Sequence, residues 1–402
     1  MIIRFIGGGR ELGGNCVEIT SNNESILLDV GMPIEKNYSE EITFRDTYAG
    51  ILISHTHMDH YLRMEFLKDK KVNVYISDPM KDIFEANEIF LNERILNYKS
   101  FLLYESEEVE IGDFKITPYL QDHSSFDSRG FLIEVEGKKV FYTGDFRFHG
   151  RKSSRKENLI SKLKEKDIDV LITDGTNISN NKINITEYSI QKKIMQEIKN
   201  TNGLVTVNFS SQNIDRIVSI YKASRKNNRT FIIDLYTAYL LMKLSKYAKL
   251  PNPLTYSHLR VYYPQNQICK VIKNHNSKIL NLFREKSIYL DEVILEPNKY
   301  VFQIRPSFIE EVEKLTPTLN IYSMWEGYLE KEEYNKFKSH YVGNGISFKI
   351  IHTSGHISKT ELKEFIEQVK PKKIFIIHTN SDLGEMSFSN VFYPENGFQI
   401  EI

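Results

Sequence analysis

Four side chains able to bind a divalent metal stand within six residues, in His55-Thr56-His57-Met58-Asp59-His60. They follow the apolar run Gly50-Ile51-Leu52-Ile53-Ser54, which reads as a buried strand, so the cluster falls where a strand gives way to a loop or helix and side chains can converge on an ion. One tetrahedral ion rarely takes more than about four protein ligands, and a catalytic ion takes about three and leaves a position for water. Four ligands here, with more downstream, exceed the demand of one site and point to two ions.

The downstream candidates close other apolar runs. His123 follows the strand-like Phe114 to Tyr119, Asp145 follows Val140-Phe141-Tyr142-Thr143-Gly144, His378 ends Lys373-Ile374-Phe375-Ile376-Ile377, and Asp29 ends Ser25-Ile26-Leu27-Leu28. Strand ends are where open sheets place functional side chains. A lone histidine there is usually a surface hydrogen-bonder, but five strand ends carrying His or Asp together call for a shared chemistry.

The elements that position these residues fall into three parts. Residues 1 to about 176 read as short strands separated by turns, with helical stretches at Met80 to Leu96 and Asn158 to Lys166. Gly7 to Asn15 joins the first two strands; it lacks Gly-Lys-Ser/Thr and precedes a strand pattern, so it reads as a tight loop near the site rather than a phosphate loop. Residues 177–345 change to strand–helix–strand alternation: a helix from Ile185 to Lys199 after Asn184 or Thr186, a strand Gly203 to Asn208, a helix Ile214 to Arg225 and a strand Thr230 to Asp234. That alternation predicts a parallel, Rossmann-like unit, and the helix opening at Ser210-Ser211 is an anion site by its backbone N–H groups. Residues 346–402 resume short strands, supply His378 and must fold back onto the first part.

The order of motifs, Asp29, His55-x-His57-x-Asp59-His60, His123, Asp145 and His378, resembles the metallo-β-lactamase superfamily, with an αββα sandwich as the implied fold. By that resemblance His55, His57 and His123 hold one zinc, Asp59, His60 and His378 the second, Asp145 bridges both, Asp29 orients the ligands from behind, and Asp59 also takes part in catalysis. Manganese is the alternative metal. The α/β insertion after Asp145 sharpens the resemblance to the β-CASP branch, whose three further motifs match Asp174, His356 and His378, and within it to the ribonuclease J family and small cleavage-and-polyadenylation-type nucleases. What this implies is a metal-dependent ribonuclease acting on single-stranded RNA through a two-metal-activated hydroxide. His356, oriented by Asp174, would donate a proton to the leaving oxygen or clamp the phosphate, and Ser210, Ser211, Ser354, Gly355, Arg151 and Lys152 would contact phosphates. The sequence departs from the family at Tyr61-Leu62-Arg63, where small residues are usual and a changed groove beside the metals is expected. It departs again at Thr379-Asn380 after His378.

Composition sets the outer bounds. A chain of 402 residues that is 41% hydrophobic and 26% charged can bury large cores. Zero net charge excludes a wholesale basic nucleic-acid binder, yet Arg147, Arg151, Lys152, Arg155 and Lys156 cluster after Asp145, either as solvated surface or as a phosphate contact. Two cysteines, Cys16 and Cys269, make no CxxC pair, and neither a signal-like N-terminus nor an 18-residue apolar run is present, so a cytoplasmic protein without membrane contact is expected. With the sequence ending at Ile402, the extra C-terminal domain of ribonuclease J is not expected here, and a homo-oligomer is a possible partner arrangement. The only tryptophan, in Tyr322 to Tyr328, is expected in packing, with base stacking the alternative. Two other functions remain: a DNA nuclease of the same fold, and a small-molecule metallo-hydrolase that shares the metal set but needs no inserted domain.

Overall fold

Each apolar run that ends in a candidate ligand is a strand in the computed structural model, which describes residues 1–34, 42–70, 72–92, 99–180, 184–380 and 386–402. The chain forms two units, one of residues 1–85, 93–184 and 355–402, the other of 86–92 and 185–354.

Among the described residues the first unit holds two seven-stranded sheets. One runs Gln399–Glu401, Ile2–Gly7, Cys16–Ser21, Glu24–Leu28, Gly50–Leu52, Asn73–Ile76, Lys99–Leu102; the other Val391–Phe392, Lys373–Ile377, Val170–Asp174, Lys138–Tyr142, Arg129–Val135, Phe114–Leu120, Val109–Ile111. Phe5, Val17, Ile19, Ile26 and Leu28 of the first sheet share a buried cluster with Phe131, Ile133, Val140, Ile172 and Phe375 of the second, and the rings of Phe5 and Phe375 lie 5.1 Å apart. The two sheets therefore pack face to face. Side chains alternate across a strand, so residues of opposite parity must be covered from outside. Leu132, Phe141, Leu171 and Ile374 pack on the helices Lys156–Lys164 and Lys359–Val369, while Leu27, Ile51 and Val74 pack on Tyr61, Met64, Met80 and Phe84. Helix, sheet, sheet and helix form the expected αββα sandwich.

Strand direction puts the polar ends together. Glu24–Leu28 and Gly50–Leu52 are parallel, as are Lys138–Tyr142, Val170–Asp174 and Lys373–Ile377. Phe114–Leu120 is antiparallel to Arg129–Val135, itself antiparallel to Lys138–Tyr142, so it runs with the parallel set. Its end at Leu120 and the ends at Tyr142, Asp174 and Ile377 thus share one edge.

The second unit is a six-stranded, all-parallel sheet in the order Leu259–Tyr262, Thr230–Asp234, Tyr300–Gln303, Val205–Asn208, Leu319–Tyr322, Ser347–Ile350. This is the Rossmann-like arrangement that the strand–helix alternation predicts. Ser347–Ile350, read from the sequence with the C-terminal part, pairs with Leu319–Tyr322 instead, because an apolar edge next to a parallel strand is better paired than left open. Helix Glu187–Asn200 is capped by the Thr186 hydroxyl and Ile214–Lys226 by the Asn213 side chain. The helix expected over Met80 to Leu96 is Asp78–Leu91; residues 93–96 lie outside the described residues. No described helix is long and apolar enough to cross a membrane.

Arg216 and Glu187 pair in this unit with both side chains fully buried, Nε to Oε1 at 2.8 Å and Nη2 to Oε2 at 3.1 Å, and the Ser219 hydroxyl donates to Glu187 at 2.8 Å. Removing one member of such a pair leaves a buried charge without its counterion, at a cost of about 3–5 kcal/mol. Glu187→Ala is therefore expected to destabilise this unit by that amount in urea denaturation. A loss below about 1 kcal/mol would show that the pair does not hold the two helices.

Candidate metal centre

The site begins at Asp29. Its backbone takes the left-handed region at φ 58°, which aspartate tolerates better than most residues, and its fully buried carboxylate accepts four hydrogen bonds. Ser54 N and Ser54 Oγ donate at 2.6 and 2.7 Å, His60 Nδ1 at 2.7 Å and the Tyr142 hydroxyl at 2.6 Å. Because the Ser54 proton goes to Asp29, Ser54 Oγ accepts from His55 Nδ1 at 3.0 Å. Asp29 thereby sets the tautomer of two histidines: both carry their proton on Nδ1 and present Nε2 to the centre. Next to Asp29, Gly31 lies so close to the Asp59 carbonyl that a Cβ would stand 1.6 Å from it, which makes glycine obligatory where this strand end passes the turn bearing Asp59 and His60. Gly13 of the Gly7 to Asn15 loop abuts Asp59 as well, so that loop sits at the site as expected.

His123 donates from Nδ1 to the Gly355 carbonyl at 2.7 Å and likewise turns Nε2 inward. Its Nε2 is 3.2 Å from His57 Nδ1, which is 3.1 Å from His55 Nε2. Zinc–nitrogen bonds of 2.0–2.1 Å at a tetrahedral angle imply nitrogen pairs about 3.3–3.4 Å apart, and these two separations come close to that. Burial, followed by the neighbouring imidazoles, holds His55 and His123 well below the usual histidine pKa, and burial brings His57 to about 4. Three neutral imidazoles at this spacing aim lone pairs at one point, which a cation relieves.

The second group is Asp59, His60, Asp145 and His378. His378 Nε2 is 3.0 Å from Asp59 Oδ2 and His60 Nε2 is 3.2 Å from Asp145 Oδ2. Burial opposes protonation here, but the carboxylates outweigh it: Asp145, Asp29 and Asp59 raise His60 well above its ordinary pKa, and Asp145 with Asp59 raise His378 to about 9. Asp145 Oδ2 is also 3.7 Å from His55 Nε2 and from His378 Nε2, so this carboxylate faces both groups. Among the described residues, buried Asp145 Oδ1 makes no hydrogen bond. Unsatisfied buried atoms of this kind are costly unless an ion takes them, and the donor set fits a divalent cation.

His356 and Asp174 adjoin this group. His356 Nδ1 donates to Asp174 Oδ2 at 2.9 Å and lies 3.6 Å from Asp145 Oδ2. Asp174 and Asp145 raise the His356 pKa against the opposing effect of burial.

The candidate phosphate contacts are more scattered. Ser210 is exposed, and its hydroxyl accepts from Gln212 N at 3.3 Å. Ser211 is buried, its hydroxyl held by Thr237, Gln303 and Arg305, and Ser354 belongs to the second unit. The basic stretch is largely engaged within the protein: Arg147 is fully buried with its Nε 3.4 Å from Asp122, Arg155 pairs with Glu105 at 2.6 Å and Lys156 with Glu364 at 3.1 Å. Lys152 sits over the Phe126 ring at 5.8 Å, and Arg151 is half-buried. Tyr61 and Arg63, expected to reshape the groove, face inward and are buried, Tyr61 against the Phe84 ring at 4.9 Å, because they fall on the inner face of the turn after His60. Trp325, expected in packing, is 51% exposed, since it opens a short 3-10 turn outside the sheet. Two residues the ligand reading passed over take part: Tyr142, beneath Asp29, and Thr176, beside Asp174. Tyr142 is the last residue of the run before Asp145, and Thr176 completes an Asp-Gly-Thr turn signal; those were the available cues.

Residues 31–203 match the family model described as beta-lactamase superfamily domain, and residues 347–383, which include His356 and His378, match that described as Zn-dependent metallo-hydrolase RNA specificity domain. Ribonuclease J of Helicobacter pylori is 22% identical over 436 aligned residues, covering 99% of this chain and 60% of its own. Ribonuclease J of Mycoplasma genitalium is 22% identical over 404 residues, covering 94% and 67%. An RNase J-like protein of Methanocaldococcus jannaschii is 25% identical over 213 residues, covering 50% and 48%. The chain thus spans about 60% of the length of the Helicobacter relative. A crystal structure of a protein of unknown function from Enterococcus faecalis superposes with a TM-score of 0.81 at 20% identity over 99% of both chains, which shares the fold. Asp145→Ala, which removes the carboxylate facing both histidine groups, is expected to abolish divalent-ion binding in elemental analysis and calorimetry. Unchanged binding would place the ions elsewhere.

Proposed function

We propose that this chain, which belongs to the β-CASP branch of the metallo-β-lactamase superfamily, is a binuclear metal-dependent ribonuclease that hydrolyses single-stranded RNA. The observation that carries the reading is Asp145 Oδ2 standing 3.2–3.7 Å from His60, His55 and His378 nitrogens, with the His356–Asp174 pair at the same carboxylate. His55, His57 and His123 would hold one ion, Asp59, His60 and His378 the other, with Asp145 between them; zinc suits these ligands best and manganese is the alternative. Two such ions supply, when bound, a water acidified from ~15.7 to about 7 and positive charge for the phosphate.

The protein's own groups do the rest. Asp29 and the Gly355 carbonyl fix the histidine tautomers, so the donors need no reorganisation when substrate arrives. Asp174 holds the His356 ring by Nδ1 and stabilises its protonated form. His356 then donates a proton from Nε2 to the leaving oxygen of the phosphodiester. Arg151 and Lys152, in the basic stretch that follows Asp145, are proposed to meet RNA phosphates. RNA rather than DNA is supported by the match at 347–383 and by the names of the relatives, and the 177–345 segment is read as the β-CASP domain that serves this substrate.

Elemental analysis should find about two zinc or manganese ions per chain, and a maximum of one would remove the binuclear model. His356→Ala should keep both ions and still bind RNA while losing roughly 10² to 10⁴ in turnover; loss of an ion in that variant would make His356 a ligand. RNA and DNA oligonucleotides of one sequence, compared at one salt concentration, should show cleavage of RNA. Equal or faster cleavage of DNA would move the protein to the DNA-acting members of the branch.

A further inference from the structure

Thr176 makes more polar contacts at the centre than its place after a turn requires. Its backbone N–H donates to Asp174 Oδ1 at 2.9 Å, an ordinary Asx turn. Its hydroxyl also reaches Asp174 Oδ1 at 2.6 Å, His378 Nδ1 at 2.8 Å and His356 Nδ1 at 3.1 Å. A threonine hydroxyl has one proton and two lone pairs, so these three contacts can be assigned. The proton goes to Asp174, whose oxygen is closer than the competing His378 carbonyl at 3.3 Å and is charged, which strengthens the bond. Oγ1 can then only accept, from Nδ1–H of His378 and, shared with Asp174 Oδ2, from Nδ1–H of His356.

We infer that Thr176 is a positioning residue that holds His378 in the Nδ1-protonated tautomer and keeps the Nδ1–H of His356 bound, committing Nε2 of the first to metal binding and the Nε2–H of the protonated second to proton transfer. This rests on the metal-centre reading above and adds to it: one hydroxyl ties a ligand histidine to the proton donor. His378 has need of such a tie, for its backbone is left-handed at φ 58°, a conformation that a bulky side chain adopts only when its surroundings impose it.

The residue between the two partners shows how the hydroxyl is aimed. Gly175 N donates to the Ile377 carbonyl at 2.8 Å, and a Cβ at Gly175 would stand 2.3 Å from Ile376 Cγ2 and 3.1 Å from the Ile377 carbonyl oxygen. Only glycine lets this turn lie flat on the strand that carries His378, and any larger residue would lift Thr176 away. Ligand–partner bonds of this kind commonly contribute 10- to 100-fold to metal affinity or activity.

The test uses the full chain without RNA. Zinc is titrated against a chromophoric chelator, and the cobalt-substituted protein is followed by its visible absorption, in wild type, Thr176→Val and Thr176→Ser. Thr176→Val removes the hydroxyl at nearly constant shape. It should weaken the looser ion by about 10- to 100-fold and shift the cobalt spectrum, whereas Thr176→Ser should restore both. Gly175→Ala, which keeps the hydroxyl but moves it, should behave like Thr176→Val. Wild-type affinity and spectrum in Thr176→Val would overturn the inference, as would a Thr176→Ser variant no better than Thr176→Val. Should the valine variant not fold, Thr176→Ala against Thr176→Ser decides by the same titration. A wild-type chain that binds ions but cleaves no RNA would sink the ribonuclease reading and leave this one to stand or fall on the titration.

Discussion

Asp145 is 2% exposed, and around its Oδ2 within 3.7 Å lie nitrogens of His60, His55, His378 and His356, contributed by three separate stretches of chain. Taking one carboxylate this far from water is expensive unless positive charge answers it. The arrangement answers it unequally. His60, His378 and His356 are pushed toward the cationic form by the carboxylates, while burial pushes His55, His57 and His123 toward the neutral form. One side thus resembles a charge-rich seat of mixed oxygen and nitrogen donors, the other a neutral nitrogen triangle.

Holding such groups together has a backbone cost that the surrounding sandwich sustains. Asp29 and His378 both sit at φ 58°, a region that costs a non-glycine residue about 1–2 kcal/mol, and each stands at the end of a strand buried in the inter-sheet core. His378 N is held by the Gly8 carbonyl at 2.7 Å and Asp29 N by the Leu52 carbonyl at 2.9 Å. Strain of this kind persists only where the neighbours over-determine the conformation, and two packed seven-stranded sheets do so. The rigidity that keeps the donors in place and the strain that the donors introduce are two sides of one design.

The second unit answers a different constraint. All six of its strands are parallel, so its sheet must be covered on both faces, and its polar groups are drawn inward with partners. Arg216 spans Glu187 and Ser323, Asp234 caps its helix at Thr237 while pairing with Arg305 at 2.6 Å, and Gln267 donates to Asp234 at 3.0 Å. Ser211, whose motif predicts a phosphate contact, is buried within this network. Its neighbour Ser210 is what the helix opening leaves at the surface.

The positions of the chemically able residues were legible in the chain itself, because strands and their ends are local events. An apolar run of five residues followed by His or Asp is a strand with a polar end wherever it is placed, and Thr230–Asp234 and the helix from Ile214 could be read within a residue for the same reason. The sandwich and the parallel insertion followed from resemblance and from alternation of periodicity. What a one-dimensional reading could not contain was partnership. Arg147 stands in a basic stretch on paper, yet its guanidinium lies beside Asp122, 25 residues earlier; Tyr142 looks like a core aromatic, yet its hydroxyl completes Asp29; Tyr61 and Arg63 look like groove residues, yet turn inward. Thr176 became visible only when His378, 202 residues later, arrived at its hydroxyl. Hydrogen-bond partners far apart in sequence are chosen by the packing of sheets, and no local propensity encodes them.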